Sequence, residues 1–227
     1  MTSFKSQNNF MQKKETALIE YTISNNIEIS PGVYVTSFKR NFEFIPGQVV
    51  KIGIDRKMPP RIYSICSGNQ DQEVSILFNI KEGGYLTPKL ASLIPGDKIL
   101  ASEPYGSFLG SKEKAVWIAT GTGVAPFYSM LKSGLSKNKT LIHGVRHLNQ
   151  FYFEDELEWA LNDNYIRCCS KESSCNIFPG RVTDYLKTID ILPDIKYFIC
   201  GQALMVVDVR DFLIEKGVHF ENILSEI

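Results

Sequence analysis

No stretch of this sequence stays apolar for the roughly 20 residues that a membrane-crossing helix needs. Paired cysteines are also missing. The five thiols stand at 66, 168, 169, 175 and 200 without a C-x-x-C pair, and an odd number at irregular spacing makes a poor disulfide framework. Nor is there the set of four spaced cysteines that an iron–sulfur cluster requires. Charge shows no excess of either sign: 25 basic and 25 acidic side chains cancel, and no long run of one sign occurs. That argues against a nucleic-acid groove and a polybasic membrane patch, both of which depend on concentrated positive charge. The opening MTSFKSQNNFMQKKE has no apolar core of the kind found in a signal peptide. It reads as a polar tail, disordered over residues 1–13. A reducing, cytoplasmic location fits the free cysteines best.

What is present suits an ordinary folded protein. At 227 residues, 44% hydrophobic and 22% charged, the chain has room for two domains of about 100–120 residues. Its two halves follow different patterns. In the first, short Val- and Ile-rich segments at 33–40, 48–55, 61–67, 74–81 and 97–103 are separated by Pro, Gly and Asp. With six short strands in all and one helix at 86–93, this half predicts a closed antiparallel β-barrel, which leaves no exposed edge. In the second half, residues 115–120 form a continuous apolar run, as in a strand buried on both faces. Strand-like segments at 139–145, 165–169, 196–200 and 222–227 alternate with helical ones at 153–161, 181–187 and 203–216. That alternation predicts an α/β domain with a parallel sheet. The boundary falls near Gly110-Ser111-Lys112, giving domains 1–110 and 111–227.

Three local motifs carry chemistry. Gly121-Thr122-Gly123-Val124-Ala125-Pro126 leaves a buried strand and opens a helix. Two glycines let a backbone approach a pyrophosphate, and Pro126 sits early in the helix, where a missing N–H costs little. A tight turn with no ligand would look the same. Arg61-Ile62-Tyr63-Ser64 offers a phosphate partner, a flat ring and a hydroxyl along one strand. A solvent-facing strand would read alike. Lys81-Glu82-Gly83-Gly84-Tyr85-Leu86-Thr87 places a glycine pair before a short helix. It could hold a second phosphate, or Thr87 could be a plain N-terminal cap.

Taken in order, these motifs resemble the ferredoxin–NADP reductase superfamily. Its flavin domain carries R-x-Y-S followed by a G-G…S/T segment, and its nucleotide domain carries G-T-G-x-x-P and a later C-G, here Cys200-Gly201. The likeness runs from about residue 15 to 227 and includes Pro46-Gly47-Gln48 and Pro95-Gly96-Asp97. It implies a flavoprotein oxidoreductase that takes hydride from NADPH onto FAD and releases single electrons to ferredoxin or flavodoxin. Arg61 would bind the flavin pyrophosphate, Tyr63 pack on the isoalloxazine and Ser64 lie near flavin N5. Gly83, Gly84, Leu86 and Thr87 would support the FAD diphosphate. Gly121, Thr122, Gly123 and Pro126 would meet the dinucleotide pyrophosphate. Cys200 would sit against the nicotinamide with Glu226 close by; read without the resemblance, one is a small buried hydrophobe and the other a solvated carboxylate.

Coenzyme choice follows from charge. Arg146, Ser170, Lys171 and Arg181 match the serine and basic positions that hold a 2′-phosphate in NADPH-using relatives, so NADPH is expected, with NADH as the alternative. Lys171 stands where relatives often have arginine and lacks its bidentate fork. Many relatives also end on an aromatic residue stacked on the flavin, whereas this sequence ends Ser225-Glu226-Ile227; either an aliphatic residue replaces that ring, which predicts weaker coenzyme discrimination, or a final aromatic is missing from the sequence. For the acceptor, the first 110 residues carry 12 basic and 10 acidic groups, so no basic face stands out, and Lys51, Arg56 and Lys57 are the nearest contacts to test. The same scaffold also serves as a reductase component of an oxygenase, a free flavin or quinone reductase, or a flavin-binding subunit of a larger complex.

Overall fold

A computed structural model describes residues 17–226. The expected disordered tail at 1–13 and the terminal Ile227 lie outside them. Six antiparallel strands and one helix come first: β1 (Leu18–Ser30), β2 (Val33–Lys39), β3 (Val49–Gly53), β4 (Arg61–Ser64), β5 (Glu73–Asn79), α1 (Leu86–Ala91) and β6 (Lys98–Ser102). Their order in the sheet is β4-β3-β6-β1-β2-β5. The two outer strands meet where Ile65 bridges Ile76 and the Cys66 N–H donates to the Ser75 carbonyl at 2.8 Å. This closes the barrel over a core that includes Phe38, Ile52, Ile65, Ile76 and Ile99.

One strand departs from expectation. β1 is not short: it runs 13 residues, pairing with β6 through its first half and with β2 through its second. Register shifts between Ile23 and Asn25 and between Glu28 and Ser30 bend it around the barrel. Asn26, on this strand, donates to the carbonyls of Leu90, Ala91 and Leu93 and so satisfies the end of α1.

The second sheet is wholly parallel. Its elements are β7 (Ala115–Thr120), α2 (Ala125–Lys132), β8 (Lys139–Val145), α3 (Glu154–Leu161), β9 (Tyr165–Cys169), β10 (Phe178–Pro179), α4 (Val182–Leu186), β11 (Lys196–Cys200), α5 (Ala203–Glu215) and β12 (Ile223–Glu226). The strand order is β10-β9-β8-β7-β11-β12. From β7 the chain proceeds to β8 on one side, while β11 lies on the other. That reversal opens a crevice at the carboxyl ends of the strands, where ligands of such sheets bind.

The two sheets share one core cluster. Val33, Cys66, Leu77 and Phe108 pack with Trp117, Phe127 and Phe198, and Phe108 meets Phe127 and Phe198 edge-on at 5.8 and 5.3 Å. Polar bonds lace the seam. Ser129 Oγ donates to the Ser67 carbonyl at 2.7 Å, the Asn69 N–H to Ser133 Oγ at 3.0 Å, and Ser30 Oγ to the Asn149 carbonyl at 3.0 Å. Among the described residues no helix is long and apolar enough to cross a membrane.

Candidate functional site

Two cavities open on the two sheets and share Asn79 in their walls. The larger, about 930 Å³, lies in the crevice of the parallel sheet. Gly121, Thr122, Arg146, Ser170, Lys171 and Arg181 all line it. They arrive from the ends of β7, β8 and β9 and the start of α4, which parallel pairing brings side by side. The Ser170 and Lys171 amides donate to the carbonyls of Val145 and Arg146, each at 3.1 Å, so the loops after β8 and β9 run together. Three cationic side chains face one acid in this wall, Asp208.

Gly123 and Pro126 stand behind the turn, not in the cavity wall. Pro126 is buried in the first turn of α2. A Cβ on Gly123 would lie 2.4 Å from the Cys200 carbonyl oxygen and 2.6 Å from the Gly201 Cα. The ends of β7 and β11 are locked together as well. Thr120 Oγ1 accepts from the Gln202 amide at 3.1 Å, and a Cβ on Gly201, at φ +141°, would sit 2.2 Å from that same oxygen.

The smaller cavity, about 640 Å³, is lined by Arg61 and Tyr63 of β4 and by Gly83, Gly84, Leu86 and Thr87. Burial pushes the Tyr63 hydroxyl up to about 12, so the ring stays neutral. Thr87 does not cap α1; the helix is preceded by Tyr85, and Thr87 Oγ1 accepts the Lys81 N–H at 2.8 Å. Its own hydroxyl proton remains to be donated. A guanidinium, a neutral ring and a glycine turn with a hydroxyl in one wall suit an elongated ligand with a flat ring and phosphates. Glycine is required at the turn: Gly83 has φ +68°, and a Cβ on Gly84 would meet the Lys81 carbonyl at 2.8 Å.

Ser64, Cys200 and Glu226 form a third group that lines neither cavity; Ser64 follows Tyr63 of the smaller one, and Cys200 lies two residues before Gln202 of the larger. Ser64 Oγ donates to Glu226 Oε2 at 2.8 Å across the seam. Cys200 and Glu226 are register partners on β11 and β12. Burial raises the Cys200 thiol, with Glu226 adding to the effect, so the sulfur stays protonated. Burial also raises the Glu226 carboxyl, against the lowering pull of the Ser64 hydroxyl. A carboxyl raised in the folded state contributes stability that is complete below the unfolded value of about 4.5 and lost as pH rises through the folded value. Glu226→Gln removes that titration. Its melting temperature should therefore exceed the parent's at neutral pH and converge on it in acid; melts recorded from pH 4 to 8 with a constant difference would refute this.

Other residues of these sites carried no role in the sequence reading. Tyr85 donates from its hydroxyl to Asp55 Oδ2 across the smaller cavity, both residues lining it. That bond and the Lys57 and Met58 amides, which donate to Asp55 Oδ1, hold the Asp55 carboxyl below its usual value. Tyr85 lies inside a quoted motif, but nothing in the sequence pairs it with Asp55. Gln202, Leu204 and Asp208 enter the larger cavity from the start of α5. The expectation attached to an aliphatic chain end falls on Ile227, outside the described residues.

Residues 117–211 match the oxidoreductase NAD-binding domain family. The chain is 29% identical over 230 residues to the toluate 1,2-dioxygenase electron transfer component of Pseudomonas putida, spanning 94% of this chain and 68% of that one. It is 28% identical over 227 residues to the ferredoxin–NADP reductase of Azotobacter vinelandii, spanning 85% and 87%. Among solved structures, a ferredoxin NADP+ reductase from Neisseria gonorrhoeae with bound FAD and NADP superposes with a TM-score of 0.83 at 22% identity, covering 92% of this chain and 98% of that one.

Proposed function

Because the chain belongs to the ferredoxin–NADP reductase superfamily and is an oxidoreductase, we propose that it takes hydride from NADPH onto bound FAD and passes electrons singly to ferredoxin or flavodoxin. FAD supplies the conversion between two-electron and one-electron chemistry. Residues up to about 110 would handle the flavin and those from 111 the nucleotide. Arg61 would pair with the flavin pyrophosphate, Tyr63 pack on the isoalloxazine, and Gly83, Gly84, Leu86 and Thr87 hold the diphosphate. Gly121 and Thr122 would face the dinucleotide pyrophosphate, with Gly123 and Pro126 shaping the turn. Arg146, Ser170, Lys171 and Arg181 would take the 2′-phosphate.

The observation that carries this reading is the Ser64–Glu226 bond beside Cys200. It ties the end of the Arg61–Ser64 strand, whose Arg61 and Tyr63 line the smaller cavity, to the ends of β11 and β12 in the parallel sheet. Hydride passes directly between rings, so these residues act by orientation and by excluding water, not as a nucleophile or base. Cys200, kept as a thiol, offers a small neutral surface, and Ser64 holds the Glu226 carboxyl in place. Lys51, Arg56 and Lys57, on and just after β3, are the proposed contacts for an acidic carrier.

Anaerobic titration of the flavin-loaded chain with NADPH and, separately, NADH tests the reading. Bleaching of the flavin is expected at much lower NADPH than NADH. Equal bleaching would remove the coenzyme assignment, and bleaching by neither would remove the oxidoreduction proposed here. A second acceptor, an oxygenase component, is favoured by the likeness to the Pseudomonas protein; reduction assays with purified ferredoxin, flavodoxin and oxygenase would separate the two.

A further inference from the structure

His143 is fully buried beneath the Gly121–Val124 turn and has no place in the chemistry above. It lies on β8, in register with Ala119 of β7, so its ring reaches the residue that follows that strand. Nε2 is 3.3 Å from the Gly121 carbonyl oxygen and Nδ1 is 3.0 Å from the Tyr165 hydroxyl. A carbonyl only accepts, so Nε2 must carry the hydrogen. In a neutral ring Nδ1 is then the acceptor and Tyr165 the donor. Both partners support this assignment. Burial pushes His143 down to about 4 and raises the Tyr165 hydroxyl, so the ring stays neutral and the phenol stays protonated. The chain Tyr165 O–H to Nδ1, then Nε2–H to Gly121 O, is fixed in one direction.

The consequence lies on the other side of the peptide plane. The Gly121–Thr122 bond is trans, since no peptide bond among the described residues is cis, and in a trans peptide the C=O and the next N–H point opposite ways. Drawing the Gly121 carbonyl inward turns the Thr122 N–H outward, and Thr122 lines the larger cavity. Gly121 has φ +54°, which glycine adopts freely but does not by itself enforce, so a bond to its carbonyl can decide which way the peptide faces. We propose that His143 is a positioning residue for the nucleotide: it pins the Gly121 carbonyl in the core so that the Thr122 amide is presented to the dinucleotide pyrophosphate. The role rests on the nucleotide reading of the larger cavity.

Calorimetric binding of two ligands to the flavin-loaded chain tests it. NADP+ carries the pyrophosphate; 2′-AMP carries the 2′-phosphate without it. His143→Leu should weaken NADP+ about tenfold, as for one lost hydrogen bond to an anion-binding amide, and leave 2′-AMP unchanged. His143→Gln, whose amide N–H reaches toward the Nε2 position, should recover most of that loss. Tyr165→Phe, which frees the ring from its partner, should give a smaller loss of the same selectivity and carries the test if His143→Leu does not fold. Equal weakening of both ligands, or no weakening of NADP+, would overturn the positioning role. A wild-type chain that binds neither ligand would instead overturn the nucleotide reading on which it depends.

Discussion

Gly123→Ala is expected to slow reduction of the bound flavin by NADPH about 100-fold. The added methyl would fall 2.4 Å from the Cys200 oxygen and 2.6 Å from the Cys200 carbonyl carbon and the Gly201 Cα. These are backbone atoms at the end of β11, so no flexible side chain can swing aside. Either the turn after β7 or the end of β11 must move, and both carry proposed site residues. A misplacement of about 1 Å costs on the order of 10²-fold in rate. Overpacking of this kind costs about 1–3 kcal/mol of stability, or roughly 2–4 °C of melting temperature per kcal/mol in a chain of this size. Stopped-flow reduction beside calorimetric melting would check both effects. Gly96→Ala is the control, since Gly96 has φ +101° and open space around its Cα: it should lower stability through backbone strain and leave the rate alone. If Gly123→Ala reduces its flavin at the parental rate, the close approach of turn and β11 has no part in catalysis.

The second large effect concerns coenzyme choice. Replacing Arg146 and Arg181 together by alanine should lower the NADPH-to-NADH ratio of kcat/KM about 100-fold. Both side chains are exposed at the rim of the larger cavity, so each charged contact to a 2′-phosphate is set at the low end, about 1.4 kcal/mol or tenfold. Nearly all of the change should fall on NADPH, because NADH has no group for these cations to hold. Salt should mimic the mutation in part, since exposed charges are screened over about 10 Å at 0.1 M. Steady-state kinetics with both coenzymes at two ionic strengths provide the measurement. An unchanged ratio would assign the cationic rim some other task. Lys171 remains in the double variant, but as a point charge it cannot replace the lost guanidinium forks.

The parallel sheet was readable because its strands are buried on both faces and appear as continuous apolar runs, as in Ala115–Thr120. The glycine turns were readable because positive φ at Gly83 and Gly121 demands that residue type. β1 was not. Of its 13 residues only Tyr21 and Ile23 are buried, so no alternating pattern marks it. Its bulges also break the period on which such a reading depends. The site divides in the same way. Ser64 and Glu226 could be named from motifs, but the hydrogen bond between them joins positions 162 residues apart and depends on how the sheets dock. Asp55 with Tyr85, and His143 with Gly121, are also contacts between segments distant in the chain. In an apolar run such as Lys139–Val145, a histidine reads simply as part of the core.

The laced seam bears on how often the protein must search for a productive geometry. Ser67 with Ser129, Asn69 with Ser133 and Ser30 with Asn149 join the barrel to the parallel sheet at three separate points, and aromatic packing around Phe108 fills the space between. A joint of this kind would hold the two cavities at one separation as ligands come and go. The entropy of bringing two rings into register is then lost largely once, as the chain folds, and not again at each encounter. Such a joint is expected to resist the closing of one half upon the other, which would leave turnover to the arrival and departure of small molecules through the cavity mouths.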